Sequence, residues 1–240
     1  MKTKKEEKDC FLAKEEDIFR EIFLKKSNKD LLRAVIEASL NKCCRKIRQY
    51  NIEREEYMDW IENIGEDMLF QTDVGVVEIE INPSNDRYIT GKNLALYSDT
   101  LYRVKKERKL TDNYQFVQLS FTWSLDLNGR DVSEYAWQTT SGIYLYENTF
   151  IREFNLDKIV KYWYEKNEEK IEEYKYIIML GLDLDELDKL YAYTKDKLIK
   201  KYRKELEKAN GNQELMEKIS AKEKNVKCSH QKKEHLNVLL

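Results

Sequence analysis

The chain predicts an α/β fold, bordering on α+β, in which a mixed sheet is flanked by helices. Three observations carry that expectation. Apolar residues recur at helical spacing near both ends, a period of two marks a hairpin between Asp67 and Asn82, and an aromatic run at Tyr114–Trp123 follows a further helical stretch. The 240 residues suffice for a buried core, which points to one domain or a domain with a helical extension. Charged residues reach 37%, yet 16 tyrosines, 8 phenylalanines and 4 tryptophans supply apolar area that a disordered chain lacks.

Residues 1–9 (M-K-T-K-K-E-E-K-D) are charged and expected to fray. From Glu15 to about Leu24, Ile18, Phe19, Ile22 and Phe23 form a helical stripe. Asn28-Lys29-Asp30 opens a second helix, Leu31 to Ile47, with Leu32, Val35, Ile36, Ser39 and Leu40 along one side. A polar, aromatic segment from Tyr50 to Ile64 leads into D-M-L-F-Q-T-D-V-G-V-V-E-I-E-I-N. Its strands are expected at Met68–Gln71 and Val76–Asn82, with the glycine and aspartate of Thr72-Asp73-Val74-Gly75 reversing the chain.

In the second of these strands Val77, Ile79 and Ile81 face one way and Glu78, Glu80 and Asn82 the other. The polar trio has two readings. It is the wet face of a half-exposed antiparallel strand, or it gathers carboxylates whose repulsion a divalent cation offsets. Pro83 cannot donate to a ladder, so the strand stops there and the last polar residues lie at its end.

Gly91–Val104 carries helical spacing through Leu94, Tyr97 and Leu101, and the basic cluster Lys105, Lys106, Arg108 and Lys109 follows. Tyr114–Trp123 reads as a central strand, because apolar side chains occupy both parities at its start. Asn128-Gly129 signals a turn, Tyr135–Thr139 and Gly142–Tyr146 read as a strand pair around Ser141-Gly142, and Phe150–Phe154 adds a strand. Asn155-Leu156-Asp157 caps a helix from near Lys158. Ile171–Leu180, Leu184–Tyr193 and Lys195–Lys208 complete a helical C-terminal third, whose interleaved charges suit a solvated face with i,i+4 pairs. No internal repeat is evident.

A formal charge of -2 gives no global basic field, so nucleic-acid binding must come from local clusters. Cys10, Cys43, Cys44 and Cys228 show no C-x-x-C spacing and no secretory leader precedes them, which predicts a cytoplasmic chain with free thiols. Cys43 and Cys44, read as helical, point in two directions and do not suit a shared zinc site. Cys228, His230 and His235 sit in a lysine-rich tail and are read as incidental. No apolar run approaches the ~20 residues that cross a bilayer, so no membrane partner is expected.

Several segments in order resemble one family: E-D-I-F-R-E-I-F, N-K-D-L-L, the hairpin, D-R-Y-I-T-G-K-N-L-A-L-Y-S-D-T-L-Y and V-Q-L-S-F-T-W. Y-E-N-T-F-I-R-E-F-N-L-D-K-I-V-K-Y-W-Y and K-N-E-E-K-I-E-E-Y-K-Y-I-I-M-L-G-L-D-L-D-E-L continue the match. The family is that of PD-(D/E)XK nuclease-family transposases of the recombination-promoting nuclease type, and the resemblance spans about residues 15–225. It implies a restriction-endonuclease-like mixed sheet flanked by helices. A nuclease-like core would occupy 1–154, helices packed on or extending it 155–225, and a flexible tail 226–240.

The resemblance also implies a metal-dependent DNA endonuclease. The family signature is an aspartate in the first core strand, a glutamate in the second and a polar residue two positions on, which here are Asp67, Glu80 and Asn82. Asp67 and Glu80 would hold Mg²⁺ or Mn²⁺, their separation of 13 positions allowing a strand, a tight turn and the return. Asn82 departs from the lysine of the wider superfamily and the glutamine of much of this branch. It binds an oxygen or orients water but supplies no positive charge.

By the same resemblance Glu16, on the first helix, adds a metal or water contact, against the plain alternative of a solvent-facing helical glutamate. Lys92, after the hairpin, takes over part of the missing lysine's role. Lys105, Lys106, Arg108 and Lys109 would touch DNA phosphates, or else only solubilise a loop. Nothing resembles the D-D-E triad of RNase H-type transposases, so cleavage that promotes recombination is expected, with a homodimer as one route to cutting two strands.

A different class of function fits the same residues. An interaction protein on a nuclease-like scaffold, encoded by a mobile element or phage and inhibiting a host defence system, tolerates the charge lost at Asn82. Its tyrosine-rich C-terminal helices would bind the protein partner. A helical oligomerisation module is the third expectation.

Overall fold

The computed structural model describes residues 11–13, 15–49, 68–82, 94, 97–104, 116–123, 129–142 and 148–222. In chain order these form α1 (Glu16–Phe23), α2 (Lys29–Leu40), β1 (Ile47–Gln49), β2 (Met68–Thr72), β3 (Val76–Asn82) and α3 (97–104). β4 (Phe116–Thr122), β5 (Val132–Tyr135), β6 (Thr149–Asn155) and α4 (Leu156–Tyr164) follow. α5 (Glu168–Ile178), α6 (Leu184–Thr194), α7 (Lys197–Asn210) and α8 (213–222) close the described chain. No helix among the described residues is long and apolar enough to cross a membrane.

The architecture is the α/β one that the periodicities predict, a six-stranded mixed sheet in the order β1-β2-β3-β4-β6-β5. β1, β2 and β3 are antiparallel neighbours, β3, β4 and β6 run parallel, and β5 lies antiparallel on the outer side of β6. The hairpin closes where expected. Thr72 Oγ1 donates to Gly75 O at 2.9 Å and accepts from Val74 N at 3.1 Å, while Gly75 takes φ +143°, which an L side chain rarely adopts. β4 is the expected central strand, with all seven residues buried.

Period-two alternation sorts the sheet into two faces. Val77, Ile79 and Ile81 of β3, Val117, Leu119 and Phe121 of β4 and Phe154 of β6 join one continuous apolar cluster with α1, α2 and the helices after residue 155. In this layer α1 packs on α7, α2 on α5 and α7, α4 on α5, and α6 on α7. The opposite face holds a smaller cluster, in which Tyr97, Leu101 and Val104 of α3 cover Leu69, Val76, Phe116 and Ile151.

Two local departures from the sequence reading have clear causes. α2 stops at Leu40 instead of running to Ile47, because Asn41 adopts a left-handed conformation (φ 51°) that caps the helix. Cys43 and Cys44 therefore lie beyond the helix. Cys43 is exposed, and burial, with Asp73 and Glu37 nearby, pushes the Cys44 thiol up to about 11. The freed residues Ile47–Gln49 instead add β1 beside β2, held by Arg45 N and Lys46 N donating to Asp73 Oδ1 at 2.9 and 3.2 Å. Of the strand pair expected around residue 140, the first strand is shifted to β5, which ends at Tyr135 and pairs with β6; the second, Gly142–Tyr146, lies outside the described residues from 143 on.

Asn155 caps α4 as its sequence context predicts, with its side-chain oxygen accepting from Lys158 N at 3.2 Å. Asn155→Ala is expected to cost about 1 kcal/mol. A urea titration should show the lower midpoint with no change in slope.

Ion pairs tie the two ends of the chain together and set an acid limit on stability. Burial by itself raises the Asp17 carboxyl, but the Lys222 and Lys218 ammonium groups of α8, at 2.5 and 2.9 Å, outweigh it and hold Asp17 below the ordinary aspartate value. Burial likewise opposes Lys208, Asn28 and Lys25 at Glu205, and the net shift is again downward. A carboxylate whose folded pKa lies below its unfolded one adds stability that is fully present above the unfolded value and lost as pH falls through the folded one. The Tm is thus expected to drop on acidification through the carboxylate range, and a Lys218→Met, Lys222→Met variant to show a shallower drop.

Candidate active site

On the sheet face beneath α3 the character of the side chains changes rung by rung toward the carboxyl ends of β3, β4 and β6. In open α/β sheets ligands bind at that end. The first rung aligns Val76, Phe116 and Thr149, and the Tyr97 ring lies 5.2 Å from that of Phe116. The second aligns Leu69, Glu78, Gln118 and Ile151. Glu78 is fully buried there and accepts from Thr100 Oγ1 at 2.7 Å and Gln118 Nε2 at 2.8 Å. Gln118 Oε1 is buried without a hydrogen-bond partner.

The third rung aligns Glu80, Ser120 and Glu153, with both carboxylates half-buried and Ser120 fully buried. The fourth aligns Asn82, Thr122 and Asn155. Hydrogen bonds connect these two rungs into a chain. Asn82 Nδ2 donates to Ser120 Oγ at 2.8 Å, Ser120 Oγ lies 3.4 Å from Thr122 Oγ1, and Thr122 Oγ1 donates to Glu153 Oε1 at 3.1 Å. Tyr135 OH, from β5, donates to Glu153 Oε2 at 2.9 Å. Burial, reinforced by the Glu153 charge, raises the Tyr135 phenol above its ordinary value.

The wet-strand reading of Glu78, Glu80 and Asn82 is thereby corrected. Glu78 and Asn82 are 0% and 3% exposed, because β4 runs alongside β3 and α3 covers Glu78 through Thr100. Glu78 is a polar junction between α3 and the sheet. Glu80 and Asn82 lie one and two rungs nearer the strand end.

The other expected site residues fall in two groups. Asp67, Lys92, Lys105, Lys106, Arg108 and Lys109 lie outside the described residues. Glu16 opens α1, whose apolar stripe belongs to the cluster on the opposite sheet face, and its carboxylate accepts from Arg20 Nε at 2.8 Å. Among the described residues no group of three or more His, Cys, Asp or Glu side chains is arranged to hold a metal ion.

The sequence reading does not anticipate Ser120, Thr122, Glu153 and Tyr135 as partners of Asn82. A signal for the first three is present in the sequence: V-Q-L-S-F-T carries polar residues at a period of two, as β3 does, and Glu153 and Asn155 of F-I-R-E-F-N stand two apart. Which strand stands beside which depends on the crossovers, and local periodicity does not report it. Comparisons of the chain with protein-family models, with curated proteins and with solved structures yield no match.

Proposed function

We propose that the protein is a metal-dependent DNA endonuclease of the recombination-promoting nuclease type. The observation that supports this most is the pairing of Glu80 with Asn82 at the carboxyl end of a parallel strand, on a sheet face lined with buried polar groups. Both offer hard oxygen donors and no soft ligand stands in the described row, a donor set that fits Mg²⁺ or Mn²⁺. In this reading Asp67 and Glu80 hold the ion, while Glu16, paired with Arg20 in the helix layer of the other sheet face, stands outside the site. When bound, the ion supplies charge neutralisation at the scissile phosphate and a lowered pKa for water.

The remaining steps belong to the chain's own side chains. Asn82 orients the attacking water or a phosphate oxygen. Lys92 stabilises the negative charge that develops on the phosphate. Lys105, Lys106, Arg108 and Lys109 contact backbone phosphates, which gives affinity that falls steeply with salt and carries no base preference. A homodimer would bring two such sites to the two strands.

The direct test is nicking of supercoiled plasmid. Purified protein is expected to convert it to open circles with Mg²⁺ or Mn²⁺, to stop on chelation and to resume when the ion is returned. Cleavage that survives exhaustive chelation would sink the metal-dependent reading.

Exposed aromatic side chains on the C-terminal helices favour a second reading, a nuclease-fold interaction protein without turnover. Tyr164 and Tyr193 are 58% and 50% exposed, and Trp163 packs edge-on to Tyr193 at 6.1 Å. Aromatic side chains of this kind anchor protein interfaces. A wild-type protein that binds no Mn²⁺ and cuts neither DNA nor RNA would favour it.

A further inference from the structure

We infer that the outer face of α7 is a second DNA contact, a lysine ridge that takes the phosphate backbone of a duplex; the choice of DNA among polyanions rests on the endonuclease reading. Positions 197, 200, 201, 204 and 208 are all lysine, and steps of three and four residues set them along one side of the helix. Four of the five are exposed and Lys201 is half-buried. The opposite side, with Ile199, Tyr202, Leu206 and Ala209, is buried in the large apolar cluster. The charges that alternate along this stretch of sequence are thus sorted by the helix, with the cations outward.

Nearby carboxylates do not cancel the ridge. Glu205 is 8% exposed and is engaged by Lys208 and Asn28. Asp30 is taken by Lys201 at 2.5 Å, and Asp188 and Glu207 by Arg203. Asp196, which caps the helix, accepts from Leu198 N and from Tyr176 OH. Among the described residues no carboxylate pairs with Lys197, Lys200 or Lys204, and Lys200 Nζ stands 5.0 Å from the centroid of the Tyr191 ring. Lys201 Nζ also donates to Ser27 O at 2.6 Å, so the junction of α1 and α2, with exposed Lys26 and Lys29, continues the basic surface.

The kind of polyanion follows from what the ridge has and lacks. From Lys197 to Lys208 the helical rise gives about 16 Å, a length over which a duplex carries about ten phosphates. Ammonium groups on flexible stems meet those phosphates as point charges and read no bases. Unpaired strands are held by aromatic side chains on which bases stack, and a lipid surface takes up apolar side chains. The ridge offers neither, since the large exposed apolar side chains of the described residues are Tyr102, Tyr135, Trp137, Tyr164 and Tyr193. α7 lies in the helix layer on one sheet face, whereas Glu80 and Asn82 belong to the other. A duplex on the ridge is therefore a different segment from the one at the candidate site.

The test is fluorescence anisotropy of a short labelled DNA duplex over a salt series, in EDTA so that nothing is cut. Full-length wild type is compared with a ridge variant, Lys197→Gln, Lys200→Gln, Lys204→Gln. A control, Lys161→Gln, Lys166→Gln, Lys189→Gln, removes the same charge from exposed positions on the α4 and α6 side. All three are also made with Lys105, Lys106, Arg108 and Lys109 changed to glutamine, which takes that loop out of the measurement. In both backgrounds the ridge variant is expected to raise Kd about tenfold or more at low salt, and to reduce the slope of log K against log salt by about 3. The control should leave that slope unchanged.

Unchanged binding by the ridge variant, or an equal loss in the control, overturns the ridge. Tighter binding of duplex RNA than of DNA overturns the choice of polyanion, as does a loss seen only with phosphatidylserine vesicles. Plasmid nicking with Mg²⁺, run beside the titrations, separates the two readings. If no protein nicks while the ridge variant alone loses the duplex, the endonuclease reading falls and the ridge stands. If wild type nicks while the ridge variant binds as wild type does, the ridge falls and the endonuclease reading stands.

Discussion

Glu80→Ala is expected to lose metal-dependent nicking by a factor on the order of 10²–10³ or more, the scale on which removing one electrostatic stabiliser of a transition state acts. Its fold should survive. Glu80 is half-buried on the third rung, belongs to neither apolar cluster and leaves no apolar cavity when truncated. Its stability cost should stay within about 1 kcal/mol. Asp67→Ala is expected to match it in activity. Measuring plasmid nicking and thermal unfolding on the same preparations separates the outcomes: undiminished cleavage by folded Glu80→Ala would assign the activity to another site or a contaminant.

Glu78→Ala, two residues earlier on the same face, is expected to show the opposite profile. Its carboxylate is the acceptor for Thr100 Oγ1 and Gln118 Nε2, both fully enclosed between α3 and the sheet. A buried donor left without an acceptor costs about 1–3 kcal/mol. With two such groups the loss should reach about 2–4 kcal/mol, or roughly 5–15 °C in Tm for a domain of this size.

Glu78→Gln should be tolerated within about 1 kcal/mol. Gln118 Oε1 is buried and unpartnered, so turning the Gln118 amide over gives the new glutamine NH₂ an acceptor while its carbonyl keeps Thr100. The corresponding change at the proposed metal ligand, Glu80→Gln, should still impair cleavage, because an amide is a poorer ligand than a carboxylate. Thermal melts of Glu78→Ala and Glu78→Gln beside nicking assays of the Glu80 variants check the whole pattern. A Glu78→Ala protein as stable as the wild type would contradict the role assigned to this junction.

What is legible in the sequence is what short-range chemistry decides. The hairpin strands, the turn at Gly75, the cap at Asn155 and the helices after it lie within a few residues of expectation, since each is set by alternation, by a φ requirement or by a capping side chain. The end of α2 escapes the sequence reading because Asn41 terminates a pattern whose polar and apolar spacing runs on past it. β1 escapes it because three residues carry no periodicity, and its place is fixed by Asp73 of the distant turn. At the candidate site Glu80 and Asn82 are readable from β3 alone. The burial of Glu78 and the link from Asn82 to Glu153 arise from strands brought together by parallel crossovers, and no local window contains them.

The packing of α1 against α7 bears on how the chain is made in the cell. The Phe23 ring sits 5.8 Å from that of Tyr202, and Phe11 N donates to Asn210 Oδ1, 199 positions further along the chain. At a ribosomal pace of about 5–20 residues per second, the side of α1 that α7 covers waits roughly 10–40 s for its partner to emerge. Throughout that interval the nascent chain presents phenylalanine and isoleucine side chains that chaperones bind, so its yield during rapid expression should depend on chaperone supply.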